Sequence, residues 1–300
     1  MAALPNDLSM VNPMHKPEHH FYAAANVLHA DLEQPLKEKI RPQASVELSR
    51  DGHYQFRQAD PFHLEGILSY KGGYTQVAGR PSTKTAGFTT LTTSVVEGLN
   101  VLDVVTADRV VAQISTVHPI YGEGQVPSVT FLGTRFDNLR IDGRRVEIEP
   151  ALDILGPRYD DDRSYFDDPD VQARVGRQHE RIMNTDNLPE WAAEQYSNGR
   201  PALNGQNELK CSLVNSVSGC PGLPFGHVID LPHFGKIFLG ELKVERTPGN
   251  PAKGVYDTYK FRLNMIRLQM GCLAEGSVNV LAADTNGQGS GGGTSSGGPK

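Results

Sequence analysis

The sequence predicts a mainly β protein, with an antiparallel β-sandwich or barrel-like body, one α-helical insertion at about residues 157–205, and flexible termini. Three observations support this prediction. Long segments rich in Val, Thr and Leu show partly alternating apolar positions, and turn-forming dipeptides separate several of them. One block alone has the apolar spacing of a helix.

The amino-terminal segment predicts an arm followed by strands. Residues 1–21 contain Pro5, Pro13 and Pro17 with little periodicity, so we expect an extended arm ahead of a sandwich domain at 22–285. "AAANVLHADLEQPL" predicts a strand or a short helix. "QASVELSRDGHYQFRQ" has a turn dipeptide between two partly alternating runs, which predicts a hairpin.

Residues 89–116, "TTLTTSVVEGLNVLDVVTADRVVAQIST", carry few charges for their length. If the second half is extended, one face carries the even-numbered residues Val104, Thr106, Asp108, Val110, Ala112 and Ile114. The odd-numbered residues of the other face are also partly apolar, as expected of strands inside a two-layer β structure. The segment therefore predicts sheet, and not the wall of an active site.

The middle of the chain predicts a hairpin and then two helices. Asp142-Gly143 is a preferred type I′ turn pair, so we expect strands near 136–141 and 144–149. Asp168-Pro169 predicts a helix start, followed by a single apolar stripe, and "LPEWAAEQY" predicts a second helix that begins at Pro189.

The strand pattern resumes after the helical block. "VYDTYKFRLNMIRLQMG" predicts a long strand with one apolar face, and "TPGNPAKG" predicts the hairpin loop before it. The apolar face would carry Tyr259, Phe261, Leu263, Met265 and Arg267. Residues 286–300 are rich in Gly and Ser and predict a flexible tail.

Composition argues against several partners. The net charge is −6 and Lys and Arg do not cluster, which argues against nucleic-acid binding. No run of 18 apolar residues predicts a membrane-spanning helix. The three cysteines, Cys211, Cys220 and Cys272, are too few for a disulfide scaffold; buried thiols or a Cys211–Cys220 bridge are the alternatives.

Three segments together carry a resemblance: "SVVEGLNVLDVVTADRVVAQIS", "VTFLGTRFDNLRIDG" and "FRLNMIRLQMGCLAEGSVNV". They resemble an uncharacterised family of β-rich bacterial proteins with no assigned activity, which is distantly similar to the surface proteins called choice-of-anchor P. The resemblance covers roughly residues 64–153 and 225–287. It implies a β-sandwich exposed outside the cell, whereas the absence of a recognisable leader indicates a cytoplasmic protein. No functional residue carries over.

Clustered acidic side chains are the candidate metal site. "YDDDRSYFDDPD" offers carboxylate oxygens, which suit Ca²⁺, from Asp160, Asp162, Asp167 and Asp168. The EF-hand pattern is absent, and Asp167 and Asp168 are equally suited to the start of a helix.

Histidines give two weaker metal-site alternatives. His227 and His233 flank Asp230, but an extended strand would separate the two imidazoles by about 20 Å. His15, His19 and His20 lie in the predicted arm, where Pro17 excludes a helix.

No nucleophile elbow or phosphate-binding loop is present, so the sequence assigns no catalytic residue and no cofactor. A hydrolase with paired carboxylates stays open, because such pairs meet only in space.

Two functions follow from the architecture. The first is a structural, self-assembling protein, as in a filament or surface layer, that uses sheet edges and the amino-terminal arm for contacts between copies. The alternative is a module that binds carbohydrate or another small ligand through exposed aromatic side chains. Its candidates are Tyr54, Tyr70, Tyr74 and Tyr121.

Overall fold

A computed structural model describes residues 19–82, 87–119, 126–157, 163–196, 207–250, 257–271 and 275–288. The strands of the first half are β1 (Ala23–Gln34), β2 (Glu38–Gln43), β3 (Val46–Glu47), β4 (His53–Ala59), β5 (Phe62–Leu64), β6 (Leu68–Tyr70), β7 (Gly72–Ser82), β8 (Gly87–Val101), β9 (Val105–Pro119), β10 (Ser128–Thr130), β11 (Arg135–Asp137), β12 (Arg140–Ile141), β13 (Arg144–Arg145) and β14 (Glu147–Pro150).

Two helices and seven strands follow. They are α1 (Pro169–Met183), α2 (Glu190–Tyr196), β15 (Glu208–Ser212), β16 (Val214–Ser218), β17 (Leu223–Phe225), β18 (Val228–Leu231), β19 (Gly235–Thr247), β20 (Thr258–Gly271) and β21 (Glu275–Gln288). The prediction of a mainly β chain with one helical block is confirmed.

The strands form two large antiparallel sheets, as predicted. The first sheet has the order β17-β18-β19-β20-β21-β1-β2, with β15 also paired to β19 and β3 to β1. In the second sheet, β8 and β9 form the central hairpin. On one side of the hairpin lie β6 and β7, with β5 and β4 outside them, and on the other side lie β10, β11 and β12, with β13 beyond. A separate pair joins β14 to β16.

The two sheets pack face to face, and hydroxyl groups bridge them. The Ser94 hydroxyl of β8 donates a hydrogen bond to the Asn26 carbonyl of β1 over 2.9 Å, and the Thr92 hydroxyl donates to the Asp284 carbonyl of β21 over 3.3 Å. Both side chains are fully buried. Thr92 and Ser94, two residues apart on β8, therefore face the opposite sheet, where a buried hydroxyl requires a partner.

The segment 89–116 is a hairpin of two long strands and confirms the prediction of sheet, but its faces differ from those expected. Val105 and Ala107 are buried together with Val110, Ala112 and Ile114, so the buried positions change from odd to even numbers. The change occurs opposite Gly98, whose φ of +62° favours glycine and interrupts the regular pleat of β8. A single alternation across the segment was wrong for this reason.

Of the two predicted hairpins in the first half, one forms, but with shorter strands than the predicted 136–141 and 144–149, because β14 pairs with β16 instead. Arg140 pairs with Arg145 across the Asp142–Gly143 turn, whose two residues have φ of +48° and +72°. Gly52 also closes a tight turn onto Ser49, but the strands on either side of it do not pair. Instead β3 pairs with β1 and β4 pairs with β7, because the longer strand β7 offers β4 a seven-residue ladder.

Helix α1 begins as the sequence predicts. The Asp168 carboxylate accepts hydrogen bonds from the backbone N–H groups of Asp170 and Val171, and Pro169 occupies the first turn. Ile182 of α1 and Ala192 of α2 pack against Phe225, Val228 and Phe238. The helical block thereby covers part of the first sheet.

The long strand β20 and its hairpin with β19 are confirmed, with one exception. Tyr259, Phe261, Leu263 and Met265 are buried on one face, but Arg267 lies on the other. The neighbouring strand β19 has Gly240 at a φ of +62°, which interrupts the ladder between the pairs Leu239–Ile266 and Glu241–Asn264. The alternation of β20 changes face there, so Arg267 does not continue the face of Met265.

Packing extends to both ends of the described chain. His19 and Phe21 are buried, and Asn286 of β21 accepts a hydrogen bond from Tyr22 N and donates one to the His20 carbonyl. The packed chain thus begins before residue 22 and continues past residue 285, while residues 1–18 and 289–300 lie outside the described residues. Among the helices described, neither is long and apolar enough to cross a membrane.

Candidate functional site: an unprotected sheet edge with an aromatic surface

Strand β4 forms an edge of the second sheet. Its residues pair with β7 from His53–Gly79 to Ala59–Gly73, and six of its seven residues are exposed. Its other side has no strand partner among the described residues. An edge strand of this kind presents unpaired backbone N–H and C=O groups to another chain.

Other edges of the large sheets, within the described ranges, are protected. Strand β2 contains Pro42 and three charged side chains, and β17 contains Pro224. The remaining edge strands have five residues or fewer. Proline and charge are the usual means by which proteins block pairing at an edge. Strand β4 has no proline and carries one permanent charge, on Arg57.

An aromatic surface lies on the outer face of β4 and β7. Cross-strand partners share a face, so the pairs Tyr54–Ala78, Phe56–Gln76 and Gln58–Tyr74 place three rings together. Tyr54 is 58% exposed and Phe56 51% exposed, and the rings of Phe56 and Tyr74 stack with centroids 5.7 Å apart. We name Tyr54, Phe56 and Tyr74 the β4 aromatic surface.

The tyrosines predicted to bind a ligand therefore do not form one site. Tyr54 and Tyr74 lie on the β4 aromatic surface, in strands β4 and β7. Tyr70 is buried against Phe62, which removes it from any exposed surface. Tyr121 lies outside the described residues. Phe56 was missed, because the sequence alone does not show that β4 is an edge strand.

Two predicted calcium ligands have other partners. Asp168 caps α1, and Asp167 lies 3.4 Å from the guanidinium of Arg246. Asp160 and Asp162 lie outside the described residues, so the cation site stays a prediction. Within the described ranges, no three His, Cys, Asp or Glu side chains are grouped to hold a metal ion.

The candidate metal site around Asp230 is not assembled, because strand β18 lies between its two histidines in the chain. His227 and His233 lie on either side of β18, while Asp230 accepts a hydrogen bond from the Trp191 indole over 2.9 Å. Burial lowers the pKa of His227 to about 4. Nearby, Arg267 makes a two-bond ion pair with Glu241, at 2.6 and 2.7 Å, and lies over the Phe238 ring. The Trp191–Asp230 bond attaches helix α2 to β18, while the Arg267–Glu241 pair joins the neighbouring strands β20 and β19.

His19 belongs to a buried aromatic cluster. Its ring stacks on Phe88 at 4.2 Å and lies 4.9 Å from His118. Burial, reinforced by the neighbouring histidine, lowers the pKa of His118 to about 3, against a smaller opposing effect of a hydrogen bond with the Asn286 backbone. Burial also lowers the pKa of His19 to about 4, with a second contribution from His20. Both rings are neutral core residues at neutral pH. His15 lies outside the described residues.

Cys211 and Cys220 are free thiols, so the alternative of a bridge between them is not formed. Burial raises the pKa of the half-buried Cys211 to about 12, so its thiol stays protonated and unreactive at neutral pH. Cys272 lies outside the described residues.

A family model for a domain of unknown function, DUF8256, matches residues 19–245. The chain belongs to the DUF8256 family. The match spans β1 through most of β19 and includes β4 and the helical block. In this chain β20 and β21 complete the first sheet, because β21 lies between β20 and β1. A search of the curated proteins found no match, and a search of the solved structures found none.

Proposed function

We propose that this DUF8256 protein is a structural protein that associates with itself through the edge of β4. The observation that supports this proposal is a seven-residue edge strand with six exposed residues, no proline and an aromatic outer face. The occupant of the edge is β4 of a second copy. Two antiparallel β4 strands would join the second sheets of two copies into one continuous sheet.

The sequence of β4 suits antiparallel pairing with itself. The register that pairs all seven residues is centred on Phe56, so Phe56 faces Phe56 of the second copy. In this register Tyr54 faces Gln58, and Arg57 faces Gln55 and not another Arg57. No like charges are opposed, and the rings of both copies meet on one face, where aromatic pairs add about 0.5–1.5 kcal/mol beyond burial.

A two-fold contact closes on itself, so growth into a filament or layer requires a second contact. We assign the second contact to residues 1–18. This segment joins the body at His19, close to the start of β4, since the Phe21 ring packs beside Gly52 and Gly79. Gly79 is the partner of His53, the first residue of β4.

Light scattering after size-exclusion chromatography tests the β4 contact. Phe56→Lys should raise the dissociation constant of the pair at least about tenfold, because central interface residues typically contribute more than about 1–2 kcal/mol. Leu132→Lys is the matched control: Leu132 is 71% exposed and lies outside β4, so its replacement should leave the pair intact.

Mixing tests the register. Phe56→Lys and Phe56→Glu should each be monomeric alone and should pair when combined, because residue 56 faces residue 56. A wild-type protein that stays monomeric across a concentration series, or a Phe56→Lys variant that pairs like wild type, would overturn the proposal. Removal of residues 1–18 should leave the pair but abolish larger species.

The second candidate function is carbohydrate binding. Its support is the β4 aromatic surface, where Tyr54, Phe56 and Tyr74 lie beside the amide side chains of Gln58 and Gln76. The rings offer flat apolar faces to the C–H face of a sugar, and the amides can hydrogen-bond to its hydroxyls. A glycan array with wild type and Tyr74→Ala tests it: monomeric wild type with Tyr74-dependent binding would favour this function over self-association.

A further inference from the structure

A groove of about 510 Å³ opens at the other end of the second sheet, where β5, β6, β8 and β9 lie side by side. Its volume is within the roughly 300–1,000 Å³ of small-molecule sites. Its polar lining consists of His63, Ser69, Lys71, Asn100, Thr106 and Asp108. Val95 of β8 pairs with Tyr74. Asn100 of the groove lies five residues further along β8, so about 17 Å separates the groove from Tyr74.

The floor of the groove is a row of polar side chains. His63 pairs with Ser69, Ser69 with Asn100, and Asn100 with Thr106. Directly paired residues of antiparallel strands point to the same face. Four adjacent strands therefore present an imidazole, two hydroxyls and an amide side by side. The Asn100 amide is already bonded to Asp103, since its Nδ2 donates to Asp103 Oδ1 over 2.6 Å and its Oδ1 accepts from Asp103 N over 2.9 Å. The imidazole and the two hydroxyls supply the groove with further donors and acceptors.

One positive and one negative side chain flank this row. The stem of Lys71 lies over Gly98, where an added Cβ would be 2.6 Å from Lys71 Cγ and Cδ, so the stem needs a glycine there. Asp108 lies opposite Gly98 on β9, and its Oδ2 accepts a hydrogen bond from Asn138 over 3.0 Å. In the part of the chain that the structure describes, neither Lys71 nor Asp108 has an ion-pair partner within 4.0 Å. Both retain hydrogen-bonding capacity for a ligand.

The two opposite charges beside the row argue against a ligand that carries a single net charge. An anion would meet the Asp108 carboxylate and a cation would meet the Lys71 ammonium. A neutral ligand rich in hydroxyls satisfies both, since each hydroxyl donates and accepts. Hydrogen bonds to charged groups are also the stronger ones. Phe62, which is half-buried and stacked on Tyr70 with centroids 5.7 Å apart, adds an aromatic wall for the C–H face of a sugar ring.

We propose that this groove, with Ser69, Asn100 and Thr106 as its floor and Lys71 and Asp108 at its flanks, binds a saccharide unit. The inference shares its ligand class with the second function proposed above, but it uses a different site and does not depend on the β4 aromatic surface.

Saturation-transfer NMR with glucose, galactose, mannose and N-acetylglucosamine, followed by titration of any sugar that binds, tests the groove. Asp108→Asn and Thr106→Val each remove hydrogen-bonding capacity with little change of shape. Each should weaken binding about tenfold, or about 1.4 kcal/mol. Thr130→Val, on the same sheet but outside the groove, is the control and should bind like wild type.

Tyr54→Ala and Tyr74→Ala separate this site from the β4 aromatic surface and should leave groove binding unchanged. Absence of transfer from all four sugars, or equal affinity in Asp108→Asn, Thr106→Val and wild type, would overturn the assignment. Loss of binding in Tyr74→Ala alone would place the sugar on the β4 aromatic surface and would also overturn it.

Discussion

His118 makes the stability of the fold depend on pH, and its replacement should remove part of that dependence. The ring is 2% exposed, its Nε2 lies 3.2 Å from the Thr116 hydroxyl, and its pKa is lowered to about 3 by burial. The unfolded chain has the ordinary histidine pKa of 6.5. Protons therefore bind the unfolded chain more readily, and stability is complete above pH 6.5 and falls as the pH drops towards 3.

The size of the effect follows from these two values. At pH 5 the unfolded imidazole is almost fully protonated, while folded His118 stays neutral. Linkage then removes about 2 kcal/mol from the free energy of unfolding between pH 8 and pH 5. His19 and His227, whose pKa values are lowered to about 4, act in the same direction. His118→Gln should therefore lose about 2 kcal/mol less than wild type over this interval.

Urea unfolding at pH 8 and pH 5 measures the difference. Trp191 is the single tryptophan and lies 5.6 Å from the Phe225 ring, so its fluorescence follows the helical block, while circular dichroism follows the sheets. Coincident transitions justify the two-state treatment. His63→Gln, which removes an exposed imidazole, is the control and should lose as much as wild type. The same loss in His118→Gln would refute the reasoning.

Three further substitutions test contacts that stabilise the helical block and the two sheets, each by urea unfolding at neutral pH. Asp168→Ala removes the cap of α1 and should cost about 1 kcal/mol, whereas Asp168→Asn, which caps equally well, should cost little; equal losses would contradict the cap. Glu241→Gln leaves Arg267 without its carboxylate and should cost about 2–3 kcal/mol, and a neutral result would show that the ion pair adds nothing. Ser94→Ala removes the hydroxyl that bridges the sheets and should cost about 1 kcal/mol, while Ser115→Ala on the outer face should cost less; the reverse order would exclude the bridge.

The features predicted correctly from the sequence depend on neighbouring residues. The Asp142–Gly143 turn follows from the conformational preference of two residues, and the start of α1 follows from Asp168 and the Pro169 beside it. The apolar face of β20 is visible as alternation up to Met265. These signals are complete within short segments, so no knowledge of distant contacts is needed.

The features that were missed depend on distant residues. The alternation of buried residues in β9 and β20 changes face where these strands pass Gly98 and Gly240 of their neighbours. The sequences of β9 and β20 themselves contain no signal for this change. From its sequence, β4 is predicted to be one arm of a local hairpin. In the structure it pairs with the more distant β7 instead, and its other edge stays unpaired in the described part of the chain. The groove also combines strands that are far apart in sequence.

Amide hydrogen exchange tests the central proposal most directly, because it reports the free edge of β4 without altering the chain. Exchange is compared at low and high protein concentration. We expect the amides of β4 to become protected as the concentration rises, while those of β2, an edge blocked by Pro42 and charge, stay unchanged. Equal exchange of β4 at both concentrations would contradict self-association through this edge.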